Sequence, residues 1–319
     1  MTAYIIRRLL IMLPLLLIIS FLIYLGLELT PGDPVSYMIG PEALATLTAA
    51  QINAMREALG LNDPFIVRYG KWLFNVLRGD FGYSLTSGVA IKNIVLARLP
   101  ATLELAGVAL LLSTLFGSIL GTASALRRGS IGDNALTVVG TLGVSIPQFF
   151  FGLVAILIFA IELNWLPVGG RINPGQIKFL DRLPNLIMPS LVMAMAMTAG
   201  VLRYSRSSML DAMNRDFIKT ARSKGLPEWR VNFIHGFRFA MTPVIVLIGF
   251  RLPQLVGGSV VLETVFQWPG VGREFVDAVR GQNYPLVMMI ALIMVSVMLF
   301  ASFLVDILTA ILDPRVKLG

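Results

Sequence analysis

Four ionisable side chains stand inside the long apolar runs of this sequence: Glu104, Arg251, Glu263 and Asp306. Charge is costly there, so such residues default to functional hypotheses. Glu104 and Glu263 lie near ends predicted to face outward, where solvation is easy, which favours structural capping or pairing over substrate contact. Asp306 lies about a turn and a half from an inner end. We expect it to pair with a basic residue near the surface.

Arg251 falls near the middle of its run, where an unpaired charge is expensive. One interpretation is that it pairs with another subunit. The other is that it faces a translocation path and favours an anionic group, such as a peptide carboxylate. Pro253 is expected to break or kink the helix beside it.

The residues needed for several chemistries are missing. Without cysteine the chain has no disulfide, thiolate nucleophile or cysteine metal site. His235 is the single histidine, which favours a helix-end role over proton or metal handling. The 15 methionines, several of them in 188–197, are expected to fill gaps between helices rather than bind a soft metal. "GSILGTAS" at 117–124 lacks the lysine of a phosphate-binding loop, so ATP must be bound by another chain.

A polar segment with helical periodicity, residues 203–240, separates two apolar runs; we call it the elbow. From about Arg206 to Lys224 the pattern predicts one helix, with Ala221 small enough for close approach. Gly225 is placed to end that helix, and Pro227 to begin a second one.

A connection between two spans needs only a few residues, so helices in the elbow call for an explanation. Three explanations fit the pattern. The elbow caps its own bundle, lies on anionic lipid through its eight Lys and Arg residues, or docks on a partner.

The composition is that of a membrane protein: 56% hydrophobic, 14% charged, mean hydropathy +0.79. The net charge of +8 suits membrane topology better than nucleic-acid binding, since no basic stripe carries aromatic residues. The first apolar run is long for a signal peptide and no cleavage site follows, so we expect it to be retained. The six runs that are long enough to span a bilayer are Leu9–Leu27, Thr102–Leu126, Val138–Phe159, Leu183–Leu202, Met241–Glu263 and Leu286–Leu312.

Lys and Arg are more than twice as dense in the segments on one side of these runs as on the other. The positive-inside rule therefore places both termini and the elbow in the cytoplasm. The largest outer segment, 28–101, carries a capping box at Thr48 and Gln51. Asp63 is expected to cap a second helix with an aromatic stripe, which either packs on the bundle or receives a partner.

The elbow sequence "TARSKGLPEWRV" at 220–231 resembles the cytoplasmic loop motif of ABC-importer permeases. Eight further motifs, in series along the chain, resemble the peptide/nickel family of these permeases. The subunit type is similar to dipeptide and oligopeptide permease B subunits. The eight motifs are "TPGDP" (30–34), "ALGLNDPFIVRYGKWL" (58–73), "GDFGYSL" (79–85), "RLPATLEL" (98–105), "SIPQFFFGL" (145–153), "WLPVGG" (165–170), "GGSVVLETVFQWPGVG" (257–272) and "LDPRV" (312–316).

The resemblance implies an all-α polytopic fold of the ABC type I importer class, in one permease domain over 1–319. That fold has six transmembrane helices, an outer helical segment between the first two, and a cytoplasmic coupling helix between the fourth and fifth. By match to the motif, docking on an ATPase is carried by Asp216, Thr220, Ala221, Lys224, Gly225 and Leu226. Ala221 and Gly225 are the expected closest-packing positions.

The implied partners are a second permease, two cytoplasmic ATPases that bind ATP and Mg²⁺, and an extracytoplasmic binding protein. The implied cargo is a small peptide, with nickel chelates, glutathione or other peptide-like solutes as alternatives. The permease itself has no catalytic or cofactor role and lies in a bacterial or archaeal cytoplasmic membrane. An ion-coupled secondary transporter is a weaker alternative, since it usually needs midplane coupling residues and an inverted repeat. A membrane-embedded enzyme lacks a supporting residue set.

Overall fold

The structure is a computed structural model that describes residues 2–30, 47–58, 60–172 and 179–312. Those residues are helical apart from turns and one isolated bridge between Tyr83 and Ala90. The motifs at 31–34 and 313–316 lie outside the described ranges. In chain order the helices are α1 Thr2–Glu28, α2 Ala49–Ala58, α3 Phe65–Leu77, α4 Ile91–Leu126, α5 Ile131–Ser145, α6 Gln148–Ala155, α7 Leu183–Met213, α8 Asp216–Ser223, α9 Arg238–Val265, α10 Val271–Arg280 and α11 Tyr284–Leu312.

Two π-helical segments and one 3-10 turn complete this list. Ile156–Glu162 continues α6, Arg230–Phe237 leads into α9, and the 3-10 turn Phe179–Arg182 precedes α7. A π-helix is rare and often marks a functional place in a helix. The second of these segments lies in the elbow.

Within the described ranges, five helices are long and apolar enough to span a membrane, and a bent pair supplies a sixth span. The third run was predicted as one span over Val138–Phe159, and this is wrong in shape. The helix stops at Ser145 and restarts at Gln148 with a bend of 100°. Ile146 adopts extended backbone because the following Pro147 disfavours the helical region for the residue before it.

The predicted break at Pro253 is absent, because α9 runs without interruption from Arg238 to Val265. Pro100 and Pro189 likewise stand inside α4 and α7. In a bilayer, neighbouring helices and side chains can satisfy the backbone groups that a proline leaves free. Proline alone therefore does not decide where a span breaks.

Helices α4 and α7 form the centre of the bundle and make the most extensive helix–helix contact. Gly117 and Gly121 on α4 allow this approach. A Cβ added at Gly121 would lie 2.5 Å from the Leu202 carbonyl oxygen. Small residues four apart let membrane helices pack closely. The core also holds Met188, Met193 and Met197, which fill space between helices as predicted.

The outer segment packs on the first span. The capping box of α2 is confirmed, with the Thr48 N–H donating to Gln51 Oε1 at 2.8 Å and the Gln51 N–H to Thr48 Oγ1 at 3.3 Å. The predicted cap of α3 by Asp63 is wrong, because Pro64 occupies the cap position and Asp63 accepts from Lys71 Nζ at 2.5 Å.

The aromatic stripe of α3 contacts rings of α1. Tyr69 lies edge-on to Phe21 with centroids 5.3 Å apart, and Trp72 is tilted against Tyr24 at the same separation. Offset and edge-on pairs are the favourable arrangements for aromatic rings. The structure therefore assigns this stripe to packing on the bundle.

The elbow and the charged networks of the bundle

The elbow comprises the end of α7, the short helix α8 and the helical segment that leads into α9. The predicted helix from Arg206 to Lys224 is wrong as a single element. Helix α7 ends at Met213, Arg215 is extended, and α8 begins at Asp216. The second predicted helix begins after Pro227 and continues into α9 as one helical path, through the π-helical segment. Helix α8 is thus joined to α7 by a two-residue turn, whereas the segment after Pro227 is continuous with α9.

The elbow has a small apolar core of its own. Ile218, Ala221 and Val231 are buried against one another, with Leu226 packed beside them. Ala221 is only 6% exposed. In this chain its small side chain therefore packs within the elbow, and its predicted role in docking stays a prediction.

Gly225 ends α8 as predicted. Its φ of +73° lies in the left-handed region that favours glycine. The Leu226 N–H donates to the Ala221 carbonyl at 3.3 Å, and the Gly225 N–H to the Arg222 carbonyl at 2.9 Å, which closes the helix end. A Cβ at Gly225 would meet nothing within 4 Å, so glycine is needed there for backbone geometry, not for space inside this chain.

The outward surface of α8 is polar. Asp216, Thr220 and Lys224 are all exposed. Lys219 Nζ donates to Asp216 Oδ1 at 2.9 Å, and this hydrogen bond lowers the pKa of Asp216 below its ordinary value. Leu226 is half-buried at the edge of this surface. The exposed face can therefore accept a partner without losing the core beneath it.

Within the elbow, α8 and the segment before α9 pack on the ends of the two span helices. The rings of Phe217 and Phe239 lie 5.2 Å apart. Gly236 sits so close to the sulfur-bearing side chains of α7 that an added Cβ would lie 3.0 Å from Met209 and 3.2 Å from Met213. His235 is exposed in the same segment, where the predicted helix-end role stays a prediction.

A buried ion pair that sequence reasoning missed lies at the inner ends of α4, α5 and α7. Asp133 is 3% exposed and accepts two hydrogen bonds from Arg206, Nε to Oδ1 at 2.7 Å and Nη2 to Oδ2 at 2.8 Å. The Ser124 hydroxyl also donates to Asp133, and the Gly129 N–H donates at 2.9 Å. The signal that could have found it is "SIGD" at 130–133, a helix start in which the Ser130 hydroxyl caps α5 by accepting from the Asp133 N–H.

A second buried network ties the outer ends of α4 and α9 to α10. Glu263 is fully buried, so the expectation that it is easily solvated is wrong. It accepts from Thr102 Oγ1 at 2.8 Å and from the Arg273 N–H at 3.0 Å, while Thr102 Oγ1 accepts from the Val271 N–H at 2.8 Å. Glu263 and Thr102 thus satisfy free N–H groups in the first turn of α10. The buried Trp268 indole N–H donates to the Ala101 carbonyl at 2.8 Å.

Glu104 and Asp306 each have a basic partner. Arg171 Nε donates to Glu104 Oε2 at 2.8 Å, which joins the outer loop after α6 to α4. Arg8 Nη1 lies 2.8 Å from Asp306 Oδ2, so the predicted pairing of Asp306 with a basic residue is confirmed and links α1 to α11. The first pair fixes a loop on a helix and the second joins two helices, so both have the structural role expected of them.

Arg251 is the exception among the intramembrane charges. Its guanidinium lies over Gly200 of α7, so closely that a Cβ there would be 2.2 Å from Nη2. Within the described ranges no acidic side chain pairs with it. Its side chain is partly exposed. The glycine thus provides a notch that holds an arginine at mid-span with part of its surface open.

The class of protein is a membrane permease subunit. Its marks are the apolar spans, the helical elbow with its own core, which is predicted to lie in the cytoplasm, and a charge at mid-span. The chain belongs to the family of binding-protein-dependent transport system inner membrane components, whose family model matches residues 113–318. A model of the N-terminal part of such components matches residues 1–106. The fold is that of ABC type I importer permeases, which sets aside a secondary transporter.

Several relatives match over nearly their whole length. The oligopeptide transport system permease protein AppB of Bacillus subtilis is 41% identical over 320 residues, 99% of this chain and all of that protein. The di/tripeptide transport system permease protein DppB of Pseudomonas aeruginosa is 34% identical over 336 residues, 99% of each chain. The glutathione transport system permease protein GsiC of Salmonella typhi is 35% identical over 317 residues, again 99% of each.

Proposed function

We propose that this chain forms half of the translocation path of an ATP-driven importer for di- and oligopeptides. The relatives that belong to oligopeptide and di/tripeptide transport systems support this cargo, and the glutathione relative supports another small peptide as the second candidate. In this proposal, 1–319 is a single non-catalytic permease domain. Both of its termini are cytoplasmic, in a bacterial or archaeal membrane.

The partners follow from the same proposal. A second, different permease completes the path, an extracytoplasmic binding protein delivers the peptide, and two cytoplasmic ATPases bind ATP and Mg²⁺. This chain contributes the surface on which one ATPase docks. The observation that carries the proposal is the elbow, a helix with its own core and a polar face that no other described element covers.

We assign ATPase docking to the exposed side of the elbow, at Asp216, Thr220, Lys224, Gly225 and Leu226. Ala221 supports this surface from within, because its side chain packs under it. A helix laid into a groove of a partner is a common recognition mode. The Asp216–Lys219 pair is solvent-exposed and therefore contributes little on its own.

The test is copurification of the ATPases with variants of the exposed face. Thr220→Trp places a bulky ring on the docking side without touching the core of the elbow. We expect it to lose the ATPases from gently solubilised membranes, while the second permease stays bound. Ile131→Trp is the matched control, because Ile131 is 90% exposed outside the elbow. Wild-type recovery of ATPases with Thr220→Trp would remove the docking assignment.

We assign Arg251 to the translocation path, where it would bind the terminal carboxylate of a peptide in transit. An arginine fork is well suited to a carboxylate, and an intramembrane charge needs such a partner. The competing assignment is a carboxylate of the second permease. Arg251→Gln should slow import of a free dipeptide in reconstituted vesicles and leave assembly intact, whereas loss of the second permease would favour the subunit contact.

Gly200→Ala offers an independent probe of the Arg251 notch. The added methyl would overlap Nη2 and displace the guanidinium, whose flexible stem can move aside. We expect import to fall with little change in the stability of the complex. Unchanged import of both free and amidated dipeptides by the two variants would remove Arg251 from the path.

A further inference from the structure

The inner ion pair of Asp133 and Arg206 lies where α4 and α7 are closest. The Cβ position of Gly121 is 2.7 Å from Ser205 Cβ and 3.1 Å from the Arg206 backbone nitrogen. Arg206 donates to Asp133 through two nitrogens, Nε and Nη2. This two-point contact fixes the plane of the guanidinium relative to the carboxylate. The pair thus joins three elements at one point: the inner end of α4, the first turn of α5 and the inner part of α7.

Arg206 lies in the part of the elbow that belongs to α7, close to the start of α8. Helix α7 continues from Arg206 to Met213 without a break, a distance of about 10 Å along the axis. Met213 packs against Ile218 in the elbow core, and Met209 and Ala212 pack against Ala125 of α4. No flexible connection separates the ion pair from the start of α8 at Asp216 except the turn at 214–215.

Asp133 is buried whereas the Arg206 side chain is 28% exposed, so desolvation of the carboxylate offsets much of the attraction and the pair contributes little net stability. It does fix geometry, since breaking it leaves a buried charge with no partner. Ser124 and Gly129 satisfy the remaining capacity of the Asp133 carboxyl, so every oxygen has a donor. A fully satisfied buried network allows one arrangement rather than several.

We propose that the Asp133–Arg206 pair, with Ser124 and Gly129, is a clamp that makes α4, α5, α7 and the elbow move as one body. Asp133 and Arg206 are then positioning residues for transport. They transmit displacement of the docked elbow to the membrane part of the chain. The inference rests on the proposed docking of an ATPase at the elbow.

The direct test measures the distance between spin labels at Ile131→Cys and Lys219→Cys in the assembled complex, with and without trapped ATP. This chain has no cysteine of its own, and the partner subunits are used in cysteine-free form. Both sites are exposed, Ile131 at the start of α5 and Lys219 on α8. ATP turnover by the same unlabelled sample shows that the ATPases are bound and cycling, so absence of turnover would speak against the proposed function rather than the clamp.

We expect one narrow distance that changes by less than about 2 Å between the two nucleotide states, within the range of small helix shifts at interfaces. Arg206→Gln should broaden this distribution and lower the number of dipeptides imported per ATP hydrolysed by at least about fivefold. Arg206→Lys retains the positive charge but loses the two-point contact with Asp133. Its distance distribution and its import per ATP should therefore be intermediate between those of the wild type and those of Arg206→Gln. A purely structural role would lower import and ATP hydrolysis together and leave their ratio unchanged.

Two results would overturn the clamp. One is a wild-type distance that shifts clearly with nucleotide while remaining narrow, because the elbow would then move relative to α5. The other is a wild-type distance distribution and import ratio for Arg206→Gln. If that variant does not accumulate in membranes, Arg206→Lys and Ser124→Ala decide the question by the same two measurements. Ser124→Ala keeps the ion pair and removes two hydrogen bonds, one to Asp133 and one from Arg206 Nε, so its effect should be smaller but in the same direction.

Discussion

Gly121→Ala tests whether the close contact of α4 and α7 holds the bundle together. The added Cβ would lie 2.5 Å from the Leu202 carbonyl oxygen and 2.7 Å from Ser205 Cβ. Neither group can rotate away, because one is helix backbone and the other is the first atom of its side chain. The two helices must therefore separate by about 1 Å to restore ordinary contact distances.

The magnitude follows from two opposing effects. Overpacking of a tight contact costs about 1–3 kcal/mol. Replacing a helical glycine by alanine gains at most about 1 kcal/mol. We therefore expect Gly121→Ala to lower the free energy of unfolding by about 1–2 kcal/mol, or a few degrees in the apparent thermal midpoint.

The matched control is Gly107→Ala on the same helix, where an added Cβ meets nothing within 4 Å. It keeps the gain in helix propensity without the overlap, so its midpoint should equal or exceed that of the wild type. The assay is thermal loss of the monodisperse chain, purified with its partners in mild detergent and read by size-exclusion chromatography. Equal midpoints for the two variants would refute the close-contact argument, because the overlap is the only difference the structure gives them.

Three further variants test the outer network and the elbow. Glu263→Ala removes the acceptors of the Thr102 hydroxyl and the Arg273 N–H. The loss of about 1–3 kcal/mol of hydrogen bonding should make the backbone amides of α10 exchange hydrogen at least about tenfold faster. Unchanged exchange would contradict the role of Glu263 in anchoring α10. Trp268→Phe removes the indole donor and also leaves a cavity, because the phenyl ring is smaller than the buried indole. We expect the free energy of unfolding to fall by at least about 1 kcal/mol, and no loss would contradict a stabilising role of this side chain. Gly225→Ala places an alanine in the left-handed backbone region, which costs about 1–2 kcal/mol. Hydrogen exchange should therefore become faster in α8 alone, while the thermal midpoint of the whole chain stays the same. Faster exchange throughout the chain would argue against a local cause.

Local patterns in the sequence predicted local structure well. The capping box of Thr48 and Gln51 and the helix-ending Gly225 depend on residues within a turn of each other, so the sequence carries the whole interaction. The apolar runs likewise predicted the spans, since length and hydropathy alone determine whether a helix can cross the bilayer. Helix α10 was not predicted, because its first two residues belong to "WPGVG", whose proline and glycines indicate a turn. The amphipathic helix begins within that motif, at Val271.

Interactions between distant residues could not be predicted in the same way. Asp133 and Arg206 are 73 positions apart, and Thr102 and Glu263 are 161 apart. Nothing local distinguishes a glutamate near a span end that is solvated from one that caps another helix. Proline shows the same limit, since Pro147 accompanies a bend of 100° and Pro253 lies within a continuous helix.

The length of α7 gives it the properties of a lever. Its 31 residues span about 46 Å, with the outer end held by the hydrogen bond from Asn185 to the Gly169 carbonyl. A tilt of about 10° about that end would carry Met213 some 8 Å and Gly200 about 4 Å. The Arg251 notch would then travel about half as far as the elbow. The same tilt of α7 would thus produce a large displacement at the elbow and a smaller one at mid-membrane. The ratio of the two displacements depends on the position of Gly200 along the helix.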